Sequence, residues 1–203
     1  MDDEPSAVEN AVRVFSQRGG ILRTGEAIDL GIHPTTLYAM RDAGEIEQLS
    51  RGLFRLASLP PLASPDLVTV ALKVPQAVVC LVSALSIHDL TTQIPRAVDV
   101  ALQQGAARPR LDHPPLNVYW FSGDAWQEGI ETHRFDDVPV RVYGPAKSVA
   151  DIFKYRRKIG LDVALEALKR YRERGDFSAG RLMHYAHVCR VETVMTPYVE
   201  ALV

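Results

Sequence analysis

Cysteine is scarce in this chain. Its 203 residues hold two, Cys80 and Cys189, far apart and in no CxxC pair. They read as buried free thiols of a reducing compartment rather than as reactive or metal-binding groups. No apolar run is long enough to span a bilayer, and the acidic start MDDEPSAVEN is no signal peptide. A soluble cytoplasmic protein with no membrane partner is therefore expected. Positive charge is not in excess either: the formal net charge is −2, so no global basic signal points to nucleic acid. Glycine-rich phosphate loops, GxSxG elbows and internal repeats are all missing.

The enzyme chemistries tested against the residues also fail. A nuclease of the PD-(D/E)xK type needs an acid on one strand and an acid-x-lysine on the next. VDVALQQG offers Asp99, but the following strand reads LNVYWF and offers neither. In HYAHVC, His184 and His187 lie about 60° apart on a helical wheel while Cys189 falls about 200° beyond His187, so the three cannot share one ion. His88 in ALSIHDL is lone and reads as structural. No catalytic residue, cofactor or metal site is expected, and the chain reads as non-enzymatic.

The apolar fraction of 47% is that of a globular protein. ASLPPLASPD, Ala57 to Asp66, has the composition of a linker and divides the chain into residues 1–60 and 61–203. Before it, Val8, Ala11, Val12 and Phe15 mark a first helix stopped by Gly19-Gly20. RTGEAIDLGI predicts a short second helix capped by Thr24, and Pro34 opens a third. EIEQL and LFRLA then pair as a hairpin around SRG. Three helices and a two-stranded ribbon make a winged helix-turn-helix. After the linker, DLVTVALKV and VVCLVSALSIHDL read as buried helices. AVDVAL, LNVYWF, IETHRF and VPVRVY read as four strands, and helices follow over 145–158, 161–174, 178–190 and 196–202. The fold class expected is α+β, a winged helix followed by a larger mixed unit with a roughly four-stranded sheet and a C-terminal helical run.

On the third helix, Leu37 and Met40 face inward. Thr35, Tyr38, Ala39 and Asp42 face outward, with Thr36 and Arg41 at the boundary. Such a short, polar and aromatic face suits a helix whose first turns contact base edges. Arg51 stands at the hairpin tip, with Gly52 supplying the turn, and Arg23 joins the expected DNA-contacting set. Phe54 and Leu56 pack beneath the wing, with Arg55 pointing the other way. Residues 1–60 carry six basic against nine acidic side chains, so such a unit alone binds phosphate weakly. A dimer on two half-sites or help from the second unit is then needed. The alternative is a winged helix that grips a protein.

The one concentration of positive charge lies between Pro145 and Gly175, with nine basic and four acidic residues. Ala146, Val149, Ala150 and Phe153 form the inward stripe of one helix, and Leu161, Ala164, Leu165 and Leu168 that of the next. The basic residues are expected to project outward. Lys147, Lys154, Arg156, Arg157 and Lys158 are read as a surface for phosphate or an acidic partner. Lys169 to Arg174 read as a solvated face with spaced pairs such as Glu166–Arg170. The loop QQGAARPRLDHPP reads as a connection.

Four segments in register resemble the AbiEi family of type IV antitoxins of bacterial toxin–antitoxin and phage-defence operons. They are GGILRTGEAIDLGIHPTTLYAMRDAGEIEQLSRGLFRLA, VVCLVSALSIHDLTTQIPRAVDVAL, VRVYGPAKSVADIFKYRRKIGLDVALEAL and VMTPYVEALV. The resemblance implies a winged helix that binds operator DNA and represses its own operon. It also implies a C-terminal unit that opposes a nucleotidyltransferase-like toxin without a stable complex. By position, the DNA-reading elements are the helix with Thr35, Thr36, Tyr38 and Arg41 and the wing with Arg51. The helix AKSVADIFKYRRK, with Lys147, Asp151, Lys154, Arg156 and Arg157, is the antitoxicity element. Where other members commonly carry more basic residues at the start of the reading helix, this chain has His33-Pro34-Thr35.

Overall fold

A computed structural model of the chain describes residues 6–201. Asp2, Asp3 and Glu4 of the acidic start, and Leu202 of the expected last helix, lie outside the described residues.

The first helix, α1 (Ala7–Gln17), opens on a capping box. Ser6 Oγ accepts from the Glu9 amide, and the Glu9 carboxylate accepts from the Ser6 amide at 2.7 Å. A short strand follows, β1 (Ile21–Arg23), which periodicity over three residues does not reveal. Helix α2 (Thr24–Asp29) therefore starts one residue earlier than a Thr24 cap implies. Its free end is closed by Glu26, whose carboxylate accepts from the Arg23 amide at 2.8 Å. Helix α3 (Pro34–Asp42) has proline in its first turn, where the missing N–H costs nothing. Strands β2 (Ile46–Ser50) and β3 (Leu53–Leu56) complete a three-stranded antiparallel sheet in the order β1-β3-β2. Ala11, Phe15, Leu37, Met40, Ile46 and Phe54 fill the space between helices and sheet. Leu37 and Met40 are fully buried, each adding roughly 2–3 kcal/mol of apolar transfer.

Arg55 corrects its expected outward aim. With β1 on one side of it and β2 on the other, β3 is the central strand, and Arg55 is 4% exposed. Its guanidinium is spent inside the protein, pairing with Glu47 at 2.7 Å and donating to the Pro60 carbonyl.

Beyond residues 57–64, helix α4 (Pro65–Lys73) leads into a second sheet. Its strands are β4 (Val78–Val79), β5 (Val98–Gln103), β6 (Leu116–Phe121), β7 (Ile130–Phe135) and β8 (Val138–Tyr143), in the order β6-β5-β4-β8-β7. The sheet has five strands rather than four. The extra one, β4, hides at the head of VVCLVSALSIHDL because a continuous apolar run fits a buried strand and a buried helix alike. Helix α5 (Leu81–Ile87) takes up only the part after Cys80. Strand β5 runs parallel to β6, and β4 parallel to β8, while β4–β5 and β7–β8 are antiparallel. From Val98 to Leu102 β5 is buried at every position, as strands covered on both faces are.

A one-turn helix, α6 (Asp124–Gln127), bridges β6 and β7. The helical run is α7 (Pro145–Lys154), α8 (Arg156–Ile159), α9 (Leu161–Arg172), α10 (Ala179–Val188) and α11 (Glu192–Glu200). The single helix expected over 145–158 breaks at Tyr155, and the short α8 re-aims Arg156 to Lys158. Helix α7 is the centre of this half. It packs against α5, α9, α10 and α11, and every residue from Ala146 to Phe153 is buried. On α9 the inward stripe is Val163, Ala164, Ala167, Leu168 and Tyr171, whereas Leu161 and Leu165 are 40% and 36% exposed. The alanines let the backbones of α7 and α9 approach, and Tyr171 fills the far end. Both cysteines are buried and unpaired, as expected.

Candidate nucleic-acid interface

The outward face of α3 is built from its first two turns. Its opening amides are met by His33, whose Nδ1 accepts from the Thr35 amide at 3.3 Å. Thr35 and Tyr38 are exposed and Thr36 is half-buried, while Leu37 and Met40 hold the opposite face in the core. Tyr38 is 44% exposed but not loose. Its ring stands edge-on to Phe54 with centroids 6.5 Å apart, and the Arg41 guanidinium lies over it at 5.1 Å. A phenol clamped between a core aromatic and a cation presents its hydroxyl in few rotamers, which lowers the entropy cost of a contact. Arg41 brings less charge than the sequence promises, because its Nη2 is 2.7 Å from Asp42.

The wing is the β2–β3 turn. Pairing slips by one residue between Gln48 and Ser50, a bulge that twists the ribbon toward its tip. Gly52 takes φ +69°, and its carbonyl accepts from the Thr24 amide at 3.0 Å. The Arg51 side chain is exposed at the tip, while its carbonyl accepts from Lys73 Nζ at 2.6 Å. Among the described residues no ion pair involves Arg51. The tip thus presents a cation without an acidic partner. Lys73 escaped sequence reasoning because it lies beyond the proline-rich segment, and no local pattern relates it to the turn.

Arg23 corrects the expected set. It is half-buried, and its guanidinium donates to the Leu72 carbonyl at the end of α4. It sits opposite Leu53 on the sheet, at the joint with α4.

The second basic group also divides. Lys147 is 0% exposed and does not belong to any surface, because α7 is covered on all sides. Its Nζ lies 2.6 Å from Asp151 Oδ2 and 4.2 Å from the centre of the Tyr143 ring. Gly129 (φ +76°) passes so close that a Cβ there would stand 2.8 Å from Lys147 Cβ. Lys154, Arg157 and Lys158 are exposed; Arg156 is half-buried, with Nη1 donating to the Phe153 carbonyl at 2.8 Å. Lys158 Nζ lies 4.7 Å from the Tyr119 ring centre, beside a recess of about 350 Å³ lined also by Asp99, Asn117 and Arg96. Burial raises the pKa of Asp99, against the Asn117 amide that bonds it at 2.9 Å. Elsewhere His184 pairs with Glu128 and His187 with Glu192, while Cys189 donates to Asp151, so these three do not converge.

Among the described residues no helix is long and apolar enough to cross a membrane. No curated protein matches the chain. Residues 11–57 match the family model described as transcriptional regulator, AbiEi antitoxin, and the match ends one residue past β3, before the three later segments of resemblance. Residues 11–57 of this chain are thus similar to the AbiEi family of antitoxin transcriptional regulators.

Proposed function

We propose that residues 1–60 form a winged-helix domain that binds operator DNA and represses the chain's own operon. Residues 61–203 form the antitoxin domain, which counteracts a nucleotidyltransferase-like toxin in a phage-defence setting without a stable complex. The observation that carries the reading is the exposed Thr35–Tyr38–Arg41 face beside an exposed Arg51 tip, within the segment that matches a regulator family. Thr35, Thr36 and Tyr38 supply hydroxyls for base edges and phosphates, and Arg51 a phosphate contact. With Arg41 and Arg55 paired to acids, one copy offers little net charge, and a homodimer on two half-sites doubles it.

Thin charge also favours a second reading, in which the same face grips a protein. A mobility-shift assay on the fragment upstream of the gene, at two salt concentrations, separates the two. A DNA reader shifts that fragment in preference to unrelated duplex and loses affinity as salt rises. Equal, salt-insensitive binding of both fragments, or none, removes the operator reading.

A further inference from the structure

Strand β7 carries Glu131 and His133 two residues apart, so both leave the same face of the strand. His88 reaches them from the C-cap of α5. One ligand atom from each of the three lies within 4.8 Å of the other two, and among the described residues this is the one trio so placed. Glu131 Oε2 and His133 Nε2 are 3.3 Å apart. That is about the edge of a tetrahedron whose corners lie roughly 2.0–2.1 Å from its centre, the distance at which zinc holds imidazole and carboxylate.

The surroundings of His88 suit a ligand. Its Nε2 is 2.8 Å from the Tyr143 carbonyl. A carbonyl only accepts, so Nε2 carries the proton and Nδ1 keeps its lone pair. Metal-binding histidines are held in one tautomer by this kind of bond. The nearby Arg174, which donates to the His88 carbonyl at 2.9 Å, is itself neutralised by Asp176 at 2.8 Å.

We propose that His88, Glu131 and His133 form a binding site for a borderline divalent transition-metal ion, with zinc as its reference ligand. Two imidazoles and one carboxylate are too soft a set for magnesium or calcium, and three protein ligands leave a position open to water. The sequence gives no hint of the site, because His88 and the β7 pair are more than forty positions apart.

The test is calorimetric titration of the full chain, stripped by chelator, with zinc at neutral pH, and with magnesium as a control. One zinc per chain and no magnesium uptake are expected. Losing a direct ligand in His133→Ala weakens zinc binding at least about tenfold, and Glu131→Gln also weakens it. His184→Ala, which removes an exposed His–Glu pair lacking a third partner, leaves it unchanged. Circular dichroism of each metal-free variant checks the fold. The proposal is overturned if the wild-type chain takes up no zinc, if both β7 variants bind within about threefold of it, or if His184→Ala abolishes binding.

Discussion

The Lys147 ammonium and the Asp151 carboxylate meet at 2.6 Å, one turn apart on α7, and neither reaches solvent. The Cys189 thiol donates to the same carboxylate at 3.1 Å. Removing one member leaves a buried charge without its partner, so Lys147→Met destabilises the fold by about 3–5 kcal/mol. Replacing both, as in Lys147→Met with Asp151→Leu, recovers most of that loss. Urea unfolding of the single and double variants measures it; a single variant within roughly 1 kcal/mol of wild type contradicts the burial.

The reading face and the wing are expected to fail differently. Tyr38→Ala or Thr36→Ala costs about 1–3 kcal/mol on the preferred site and little elsewhere, relaxing sequence choice. Arg51→Ala weakens binding to all duplexes and lowers the salt slope by about one. Fluorescence anisotropy on specific and unrelated duplexes across a salt series distinguishes them, and an unchanged salt slope takes Arg51 off the phosphate.

At the wing, a methyl group at position 52 meets both a left-handed φ and Thr24 Oγ1 at 3.2 Å. Gly52→Ala therefore destabilises by about 1–2 kcal/mol. Gly25, in the first turn of α2 with nothing within 4 Å of an added Cβ, is the contrast. There alanine raises stability by up to about 1 kcal/mol. Thermal denaturation of the two variants gives opposite signs if the turn is as described.

Where local pattern and burial agree, the chain is legible. Leu37 and Met40 set the orientation of α3, and alternation or apolar runs set β5 to β8. The failures share one cause. Lys147 lies on a helix whose polar flank is covered by α10, and Arg55 on a strand with a neighbour on each side. A single amphipathic element implies one wet face, and that expectation puts both side chains outside. Whether that face is wet is decided by the order of strands and helices in space. β1 and β4, of three and two residues, are too short for any period, and the His88–Glu131–His133 trio is purely a product of tertiary assembly.

Glu166 gives stability an acid limb. Burial opposes its ionisation, but the Thr91 hydroxyl at 2.9 Å, the Thr92 amide at 2.8 Å and the Arg170 guanidinium hold its pKa below the ordinary 4.5. A folded pKa below the unfolded one stabilises the protein above that ordinary value. The contribution is lost as the pH falls from there through the folded pKa. Glu166→Gln should flatten this part of the stability–pH curve, read from urea midpoints on either side of it, while a slope equal to wild type assigns the limb to other carboxylates.

For the antitoxin role proposed for the larger unit, charge reversal belongs at Arg157 and Lys158, which are exposed, rather than at Arg156, which also holds the end of α7. Arg157→Glu with Lys158→Glu is expected to abolish growth rescue from the co-expressed toxin with the circular dichroism spectrum retained. Full rescue excludes this surface from toxin neutralisation.

Two basic side chains cross between the halves within one helical turn: Lys73 reaches up to the Arg51 carbonyl, and Arg23 reaches down to that of Leu72. Helix α4 itself lies on β8 of the large sheet. The tilt of the hairpin is thus inherited from the five-stranded sheet, and on the proposed reading the aim of the smaller unit at a duplex is a property of the body that carries it.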